Sequence, residues 1–345
     1  MRIRGWFFGL GLALSAAVVA VTAVSPADDD RQDTPGFSFA LWGDMPYSDI
    51  QATQIPALIR DINREKVAFS VFDGDIKSGS SVCTDDVYQA AIDRFNTFER
   101  PMVYVPGDNE WTDCHRTNNG GFNNLERLDF IRRTMFATAD SFGQKTIKLG
   151  HQGPIGGLYA ENTRWRYGNV YFLGLNVPGS NNNKVNSDAI CTSKSARTLQ
   201  QCADDNAEYL TRDAANRAFL SDTFARARAG HAAGLVIVIQ ADMVFDLPET
   251  EDVNERTSTP NVDGYDAFLD LLATETKNFD GQVLLVHGDT HFFKHDQPLA
   301  GQADLLRNFA RLETFGSPNV HWVKVSVDPG VRSLFVIEPM IVPGN

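Results

Sequence analysis

Four Gly-Asp pairs carry the chemistry that this sequence can do: Gly43-Asp44, Gly74-Asp75, Gly107-Asp108 and Gly288-Asp289. Each closes a short apolar run or follows it by one residue. Glycine lets the backbone turn tightly at such a point, and ligands of open α/β sheets bind outside the carboxyl ends of the strands. Four carboxylates aimed into one crevice repel one another unless a cation lies among them. An oxygen-rich set suits hard cations such as Mg²⁺, Mn²⁺ or Ca²⁺. The bland alternative is four ordinary Asp turns after strands. Gln240 follows a fifth apolar run, and His291 lies two residues after Asp289. Lys77, two residues after Asp75, and Arg311 are candidates for binding an anionic group. His115, His151 and His287 are further possible donors.

The elements that must hold these residues are legible as apolar runs rich in Val, Ile, Phe and Tyr. They cover Phe37–Trp42, Phe69–Phe72, Met102–Val105, Val170–Leu175, Leu235–Ile239, Val283–Val286, His321–Val327 and Ser333–Ile337. Runs of this length and composition predict buried strands. Helical periodicity is expected over Ile50–Arg64, Asp85–Phe98, Asn123–Phe136, Thr211–Arg228 and Gly264–Thr276. Alternating strands and helices predict an α/β protein with a substantially parallel sheet. The Asn- and Ser-rich stretch Pro178–Gln201, with its Asn181-Asn182-Asn183 run, is expected to be a long loop reaching toward the cleft.

The blocks Gly43-Asp44-Met45-Pro46, Gly74-Asp75, Gly107-Asp108-Asn109-Glu110, Gln240 and Gly288-Asp289-Thr290-His291 resemble, in order and spacing, those of the calcineurin-like metallophosphoesterase superfamily. The family pattern is Asp-x-His, Gly-Asp, Gly-Asn-His-Asp/Glu, a lone His and Gly-His-x-His, and the resemblance spans about residues 38–292. It implies a four-layer α/β/β/α sandwich of two mixed sheets. It also implies two metal sites bridged by Asp75, one with Asp44 and His291, the other with Asp108, Gln240 and Asp289. The departures are systematic. Pro46, Asp108, Asn109, Gln240 and Asp289 replace family His or Asn residues, so only Asp44, Asp75 and His291 keep family ligand identities. The second site becomes all-oxygen, which favours Mn or Mg over Zn or Fe, with one or two divalent ions held. Asn109 stands where the family has a catalytic His; it donates a hydrogen bond but is no proton acid, which suits a good leaving group. The resemblance implies hydrolysis of a phosphomonoester or phosphodiester by metal-activated water. The lost histidines leave an alternative, a non-catalytic derivative that binds a metal or a phosphorylated ligand.

Composition narrows the rest. The 345 residues carry a net charge of −13 with 43% hydrophobic residues, which excludes a disordered tail and a polytopic membrane protein. Asp outnumbers Glu by 32 to 12. Such acidity lacks the basic footprint that nucleic acid requires, so the expected partner is a small phosphorylated substrate. Arg2 and Arg4, the apolar run Trp6–Val21 and the small residues after it read as a signal peptide over 1–27. That leaves a single domain over 28–345, exported to a periplasm or secreted, with no membrane contact after cleavage. Four cysteines in an exported chain suggest disulfides. Three pairings are possible; Cys191 and Cys202 bracket a polar loop and are expected partners, leaving Cys83 with Cys114.

Overall fold

The first strand shows how the architecture is built. Along Phe37–Trp42 (β1) the side chains alternate: Phe39 and Leu41 enter one apolar cluster, Ala40 and Trp42 another. A strand buried on both faces lies inside a layered structure. The computed structural model describes residues 36–245, 259–301 and 304–345, all within the compact unit Thr34–Asn345; the expected signal peptide lies outside the described residues.

Two sheets follow. The first comprises β1, β2 (Ser70–Phe72), β3 (Met102–Tyr104), β13 (Trp322–Val327) and β14 (Phe335–Met340), in the order β14-β13-β1-β2-β3. The second comprises β4 (Gly150–His151), β5 (Thr163–Tyr167), β6 (Val170–Gly174), β7 (Gly234–Val238), β8 (Gln282–His287), β9 (Lys294–Asp296) and β12 (Phe309–Glu313), in the order β4-β5-β6-β7-β8-β12-β9. A short hairpin, β10 (Ala300–Gly301) with β11 (Asp304–Leu305), stands apart from both. Strands β1–β2–β3 and β6–β7–β8–β12 pair in parallel, and the remaining pairs of the two sheets are antiparallel. Both sheets are therefore mixed.

The faces of the two sheets meet in a core of Phe39, Leu41, Val71, Val103, Phe172, Val236, Val238, Leu284 and Val286, among others. Phe172 from the second sheet packs edge-on against Phe39 and Phe69 of the first, at 5.1 and 5.0 Å between ring centroids. Helices cover the outer faces. Those on the first sheet are α1 (Asp49–Arg64), α2 (Asp85–Phe95) and α3 (Asn124–Met135). Those on the second are α6 (Leu199–Ala229) and α7 (Asp266–Lys277). The result is the α/β/β/α sandwich.

Several expected boundaries shift. The long helix begins at Leu199 rather than Thr211, because a capping box between Thr198 and Gln201 starts it before its apolar stripe does. Strands β5 and β12 went unpredicted: in Thr163–Tyr167 and Phe309–Glu313, Arg residues interrupt the apolar run. The expected loop at 178–201 contains a single turn, α4 (Gly179–Asn182), and a short helix, α5 (Asp188–Thr192). Disulfides join Cys83 to Cys114 and Cys191 to Cys202; the second ties α5 to α6.

The α4 turn is left-handed. Ser180, Asn181, Asn182 and Asn183 have φ of 50°, 55°, 56° and 64°, a conformation costing L-residues about 1–2 kcal/mol each, less for Asn. Arg212 of α6, fully buried, holds it in place. Its guanidinium donates to Asn182 Oδ1 at 2.6 Å, to the Asn182 carbonyl at 2.9 Å and to the Asn176 carbonyl at 2.9 Å. Arg212→Met should therefore cost about 3–5 kcal/mol in urea denaturation, because it strands both buried Asn182 acceptors and leaves the Glu208 carboxylate without its cation; a loss below about 1 kcal/mol would contradict this account of the turn.

Candidate metal centre

The parallel strands of both sheets end at one place. Asp44 follows β1, Asp75 follows β2, Asp108 follows β3, Gln240 follows β7, and Asp289 and His291 follow β8. Asp44, Asp75, Asp289 and His291 all have positive φ, between 51° and 75°. These strained turns bend each side chain back over the end of its own strand. Glycine is required where the sheets approach: a Cβ on Gly74 would lie 2.5 Å from Gln240 Cγ, and one on Gly107 2.1 Å from Asp75 Oδ1.

The cluster is tied by hydrogen bonds. Tyr47 donates its hydroxyl to Asp75 Oδ2 at 2.9 Å and reaches Asp44 Oδ1 at 3.2 Å. Asn109 donates its backbone N–H to Asp75 Oδ1 at 3.0 Å and its amide to Asp75 Oδ2 at 2.6 Å. Gly179 N–H donates to Gln240 Oε1 at 2.6 Å, which fixes the amide so that Nε2 faces Asp75 Oδ2 at 3.2 Å and Asp108 Oδ1 at 3.4 Å. Ser180 Oγ lies 2.8 Å from Asp108 Oδ2. Asp289 takes the backbone N–H of Asp242 on Oδ2 at 3.0 Å and gives its own N–H to the Asp44 carboxylate. Glu110, beneath the cluster, accepts from Asp75 N, Gly107 N and Tyr104 Oη.

His291 is preset. Its Nδ1 meets the Ser317 carbonyl at 2.7 Å, so the proton sits on Nδ1 and Nε2 faces Asp44 Oδ1 at 3.5 Å. The first turn of α1 braces this arrangement, since Gln51 accepts from Tyr47 N at 2.5 Å and donates to Ser317 Oγ at 2.7 Å. Tyr47 stacks edge-on against the imidazole, 5.2 Å between centroids.

Electrostatically the site is short of positive charge. Among the described residues no Lys or Arg lies within salt-bridge distance of Asp75, Asp108 or Asp289, and Asp44 meets only His291. Burial, then repulsion from Asp108, Glu110, Asp44 and Asp289, holds the Asp75 carboxyl well above the usual carboxylate range. Burial and the charges of Asp108 and Asp44 do the same to Asp289. Asp108 is raised by burial although Ser180 and Arg116 oppose it. Asp113 is pushed up to about 8 by burial and by Asp108. Burial pushes the Tyr47 hydroxyl up, which keeps its proton in place.

Two candidate anion contacts have different surroundings. Lys77 is buried, and its ammonium donates to the Ser78 carbonyl at 2.9 Å. Burial lowers its pKa against the opposing fields of Glu110, Asp75, Asp113 and Asp108. Arg311 grips Asp296 with Nε and Nη2 and lies over the Phe245 ring. It comes no nearer the cluster than 4.0 Å from Asp242, so its guanidinium is committed elsewhere. His287 is buried on the Gly288 carbonyl, and His151 packs against Phe136; His115 bonds the Thr112 carbonyl. Tyr47, Ser180 and Ser317 are site residues that sequence reasoning missed.

As the side chains stand, no three His, Cys, Asp or Glu among the described residues converge on one ion. The amide donors of Gln240 and Asn109 and the Tyr47 hydroxyl lie among the carboxylate oxygens instead. The donor chemistry nevertheless fits a hard cation: buried oxygens whose repulsion the nearest protein cations, Lys77 and Arg116, offset only in part. Gln240 is the exception, because it turns its amide nitrogen, not its oxygen, toward the cluster.

No family model matches this sequence, and no curated protein does. Among solved structures, PhoD aligns over 86% of this chain and 65% of its own, at 13% identity and a TM-score of 0.50. A dimetal phosphatase from Danio rerio aligns over 89% of this chain and 99% of its own, at 13% identity and 0.48. The purple acid phosphatase PPD1 of yellow lupin (Lupinus luteus) aligns over 90% and 52%, at 12% and 0.49. The chain thus spans 65% of the PhoD chain and 52% of the lupin enzyme. At such identities the likeness is one of fold.

The raised carboxyls set a pH dependence. A carboxyl whose native pKa exceeds its unfolded value, about 3.9, binds more protons when folded, so its contribution to stability falls as pH rises. Asp113 carries that window up to about 8. In chelator, the melting temperature should fall from pH 6.5 to pH 8, and millimolar Mg²⁺ or Mn²⁺ should raise it more at pH 8. A metal-free melting temperature that climbs over this interval would contradict the reading.

Proposed function

Since the chain has the fold of the calcineurin-like metallophosphoesterases, we propose that it is an exported, metal-dependent phosphoesterase. The observation that carries this reading is the gathering of Asp44, Asp75, Asp108 and Asp289 with His291 at the ends of strands from both sheets, with no Lys or Arg among the described residues in ion-pair contact with Asp75, Asp108 or Asp289. Asp44, Asp75 and His291 would hold one ion, and Asp75, Asp108 and Asp289 a second. Gln240 joins them only by giving up its bond from Gly179. A bound divalent ion supplies a Lewis acid for the phosphoryl oxygen and lowers the pKa of water. The all-oxygen second set favours Mn²⁺ or Mg²⁺.

The protein's own groups then have separable roles. Asn109 orients both oxygens of Asp75, and Tyr47 keeps its proton and spans Asp44 and Asp75. The Ser317 carbonyl fixes the His291 tautomer, as outer partners of metal-binding imidazoles commonly do. Lys77, with donors to spare beside Asp75, is assigned the phosphate contact; Arg311 is not, because Asp296 holds it. With no imidazole at position 109, departure of a phenolate-like leaving group is favoured over that of an alkoxide. Export is supported by the two disulfides and by the signal-like 1–27 segment; no helix among the described residues is long and apolar enough to cross a membrane.

A second reading has its own observation. The Gln240 and Asn109 amides satisfy the carboxylates as they stand, as they would in a non-catalytic binding protein. Turnover separates the two. Aryl phosphates and phosphodiesters should be hydrolysed after Mn²⁺ or Mg²⁺ reconstitution and less after Zn²⁺. Asp75→Asn should abolish the activity, and Asn109→Ala should reduce it about 10–100-fold as a loss of ligand positioning. Absence of turnover across such a panel, with metal bound, would favour the binding protein.

A further inference from the structure

Beside the cluster lies a cavity of about 360 Å³ that the metal centre does not use, a size that suits a small ligand. Its lining includes Asp113, His115, Arg116, Ser180, Lys184 and Arg197. In a chain of net charge −13, the lining holds three cations, Arg116, Lys184 and Arg197, against one carboxylate, Asp113. Each cation is held by one carboxylate: Arg116 by Asp113 at 2.6 Å, Lys184 by Asp263 at 2.6 Å and Arg197 by Asp205 at 2.8 Å. Such pairing fixes long side chains, so their remaining N–H groups are presented without further ordering. Arg116 keeps 38% of its side chain exposed and Lys184 30%. The field of these groups is felt within the wall: His115 is lowered to about 4 by burial and then by Arg197 and Arg116. Val185 and Ile190 add an apolar strip.

The cavity is coupled to the Asp108 carboxylate through Ser180. Ser180, in the left-handed turn pinned by Arg212, has its hydroxyl 2.8 Å from both Asp108 Oδ2 and Asp113 Oδ1, and Arg116 Nη2 reaches it at 3.4 Å. An anion seated on Arg116 therefore lies one side chain away from the carboxylates. The opposite wall is held by the Cys191–Cys202 disulfide, which anchors the short helix carrying Ile190.

From this geometry we propose, resting on the phosphoesterase reading, that the substrate is a phosphoester whose alcohol portion carries a second acidic group, received by Arg116 with Lys184 and Arg197. The apolar strip takes the stem between the two acids. Arg116 acts in binding and selectivity and touches no reacting atom. A carboxylate and a second phosphate present the same anionic chemistry to these donors.

Calorimetric titration of the Mn²⁺-loaded full chain with three non-hydrolysable probes tests this: phenylphosphonate, 4-carboxyphenylphosphonate and benzoate. The carboxylate should tighten phosphonate binding at least tenfold. Arg116→Gln and Lys184→Gln should each erase most of that gain, and Lys184→Gln should leave phenylphosphonate within about twofold of wild type. The Lys184 variant, altered at a partly exposed position, guards against misfolding of the Arg116 variant. Equal affinity for the two phosphonates, or a gain that survives both substitutions, overturns the proposal and leaves the phosphoesterase reading intact. Arg116-dependent binding of benzoate with no binding of either phosphonate supports the anion pocket and counts against the phosphoesterase centre instead. No Arg116-dependent binding of any probe overturns the pocket.

Discussion

The structure depends on a repulsion. Carboxylates from both sheets are buried in one another's fields where the parallel strands end, and ionised together they are costly. Everything around them reduces that cost. The Tyr47 hydroxyl and the Gln240 amide each lie between two carboxylates, the Asn109 amide donates to Asp75 and to the Tyr47 hydroxyl, and Ser180 bridges Asp108 to Asp113. These donors are dipoles, not charges, so Asp75 and Asp289 remain far above the normal carboxylate range. In the proposed reading a divalent cation would remove the remainder of the repulsion, which would make cation binding and the protonation state of the cluster one linked equilibrium.

The fold supplies the rigidity such a centre needs. The shared core of the two sheets fixes the strand ends against each other, and glycines at 74 and 107 permit the approach. The outer helices reach in at two points. The first turn of α1 holds Tyr47 and, through Ser317, His291; α6 holds the left-handed turn by Arg212. That turn in turn fixes Gln240 through Gly179 and Asp108 through Ser180. Strained backbone thus clusters at the candidate site and is over-determined by buried partners.

Much of this was legible in the sequence, for identifiable reasons. Strands buried on both faces leave apolar runs, so β1, β7 and β8 were readable, and Gly-Asp marked their ends. Strand β5 was not, because its Arg164 and Arg166 face away from the core and break the run. Side-chain commitment was the least legible feature. Nothing near Arg311 in sequence announces Asp296 as its partner across the β9–β12 pair. The orientation of Gln240 depends on Gly179, 61 residues away. Tyr47 was missed because no pattern of spacing distinguishes it from a core aromatic. The cavity beside the cluster is assembled from loop residues whose polarity reads as ordinary solvent exposure.

The central claim is that the buried carboxylates share protons until a divalent cation replaces them. Titrating Mn²⁺ or Mg²⁺ into the metal-free protein by calorimetry at pH 7, in buffers of different ionisation enthalpy, counts the protons released on binding. The account predicts release of about one proton or more per protein on cation binding, and loss of that release in Asp75→Asn. Cation binding without proton release, or no binding by a cluster that is folded and intact, would contradict it.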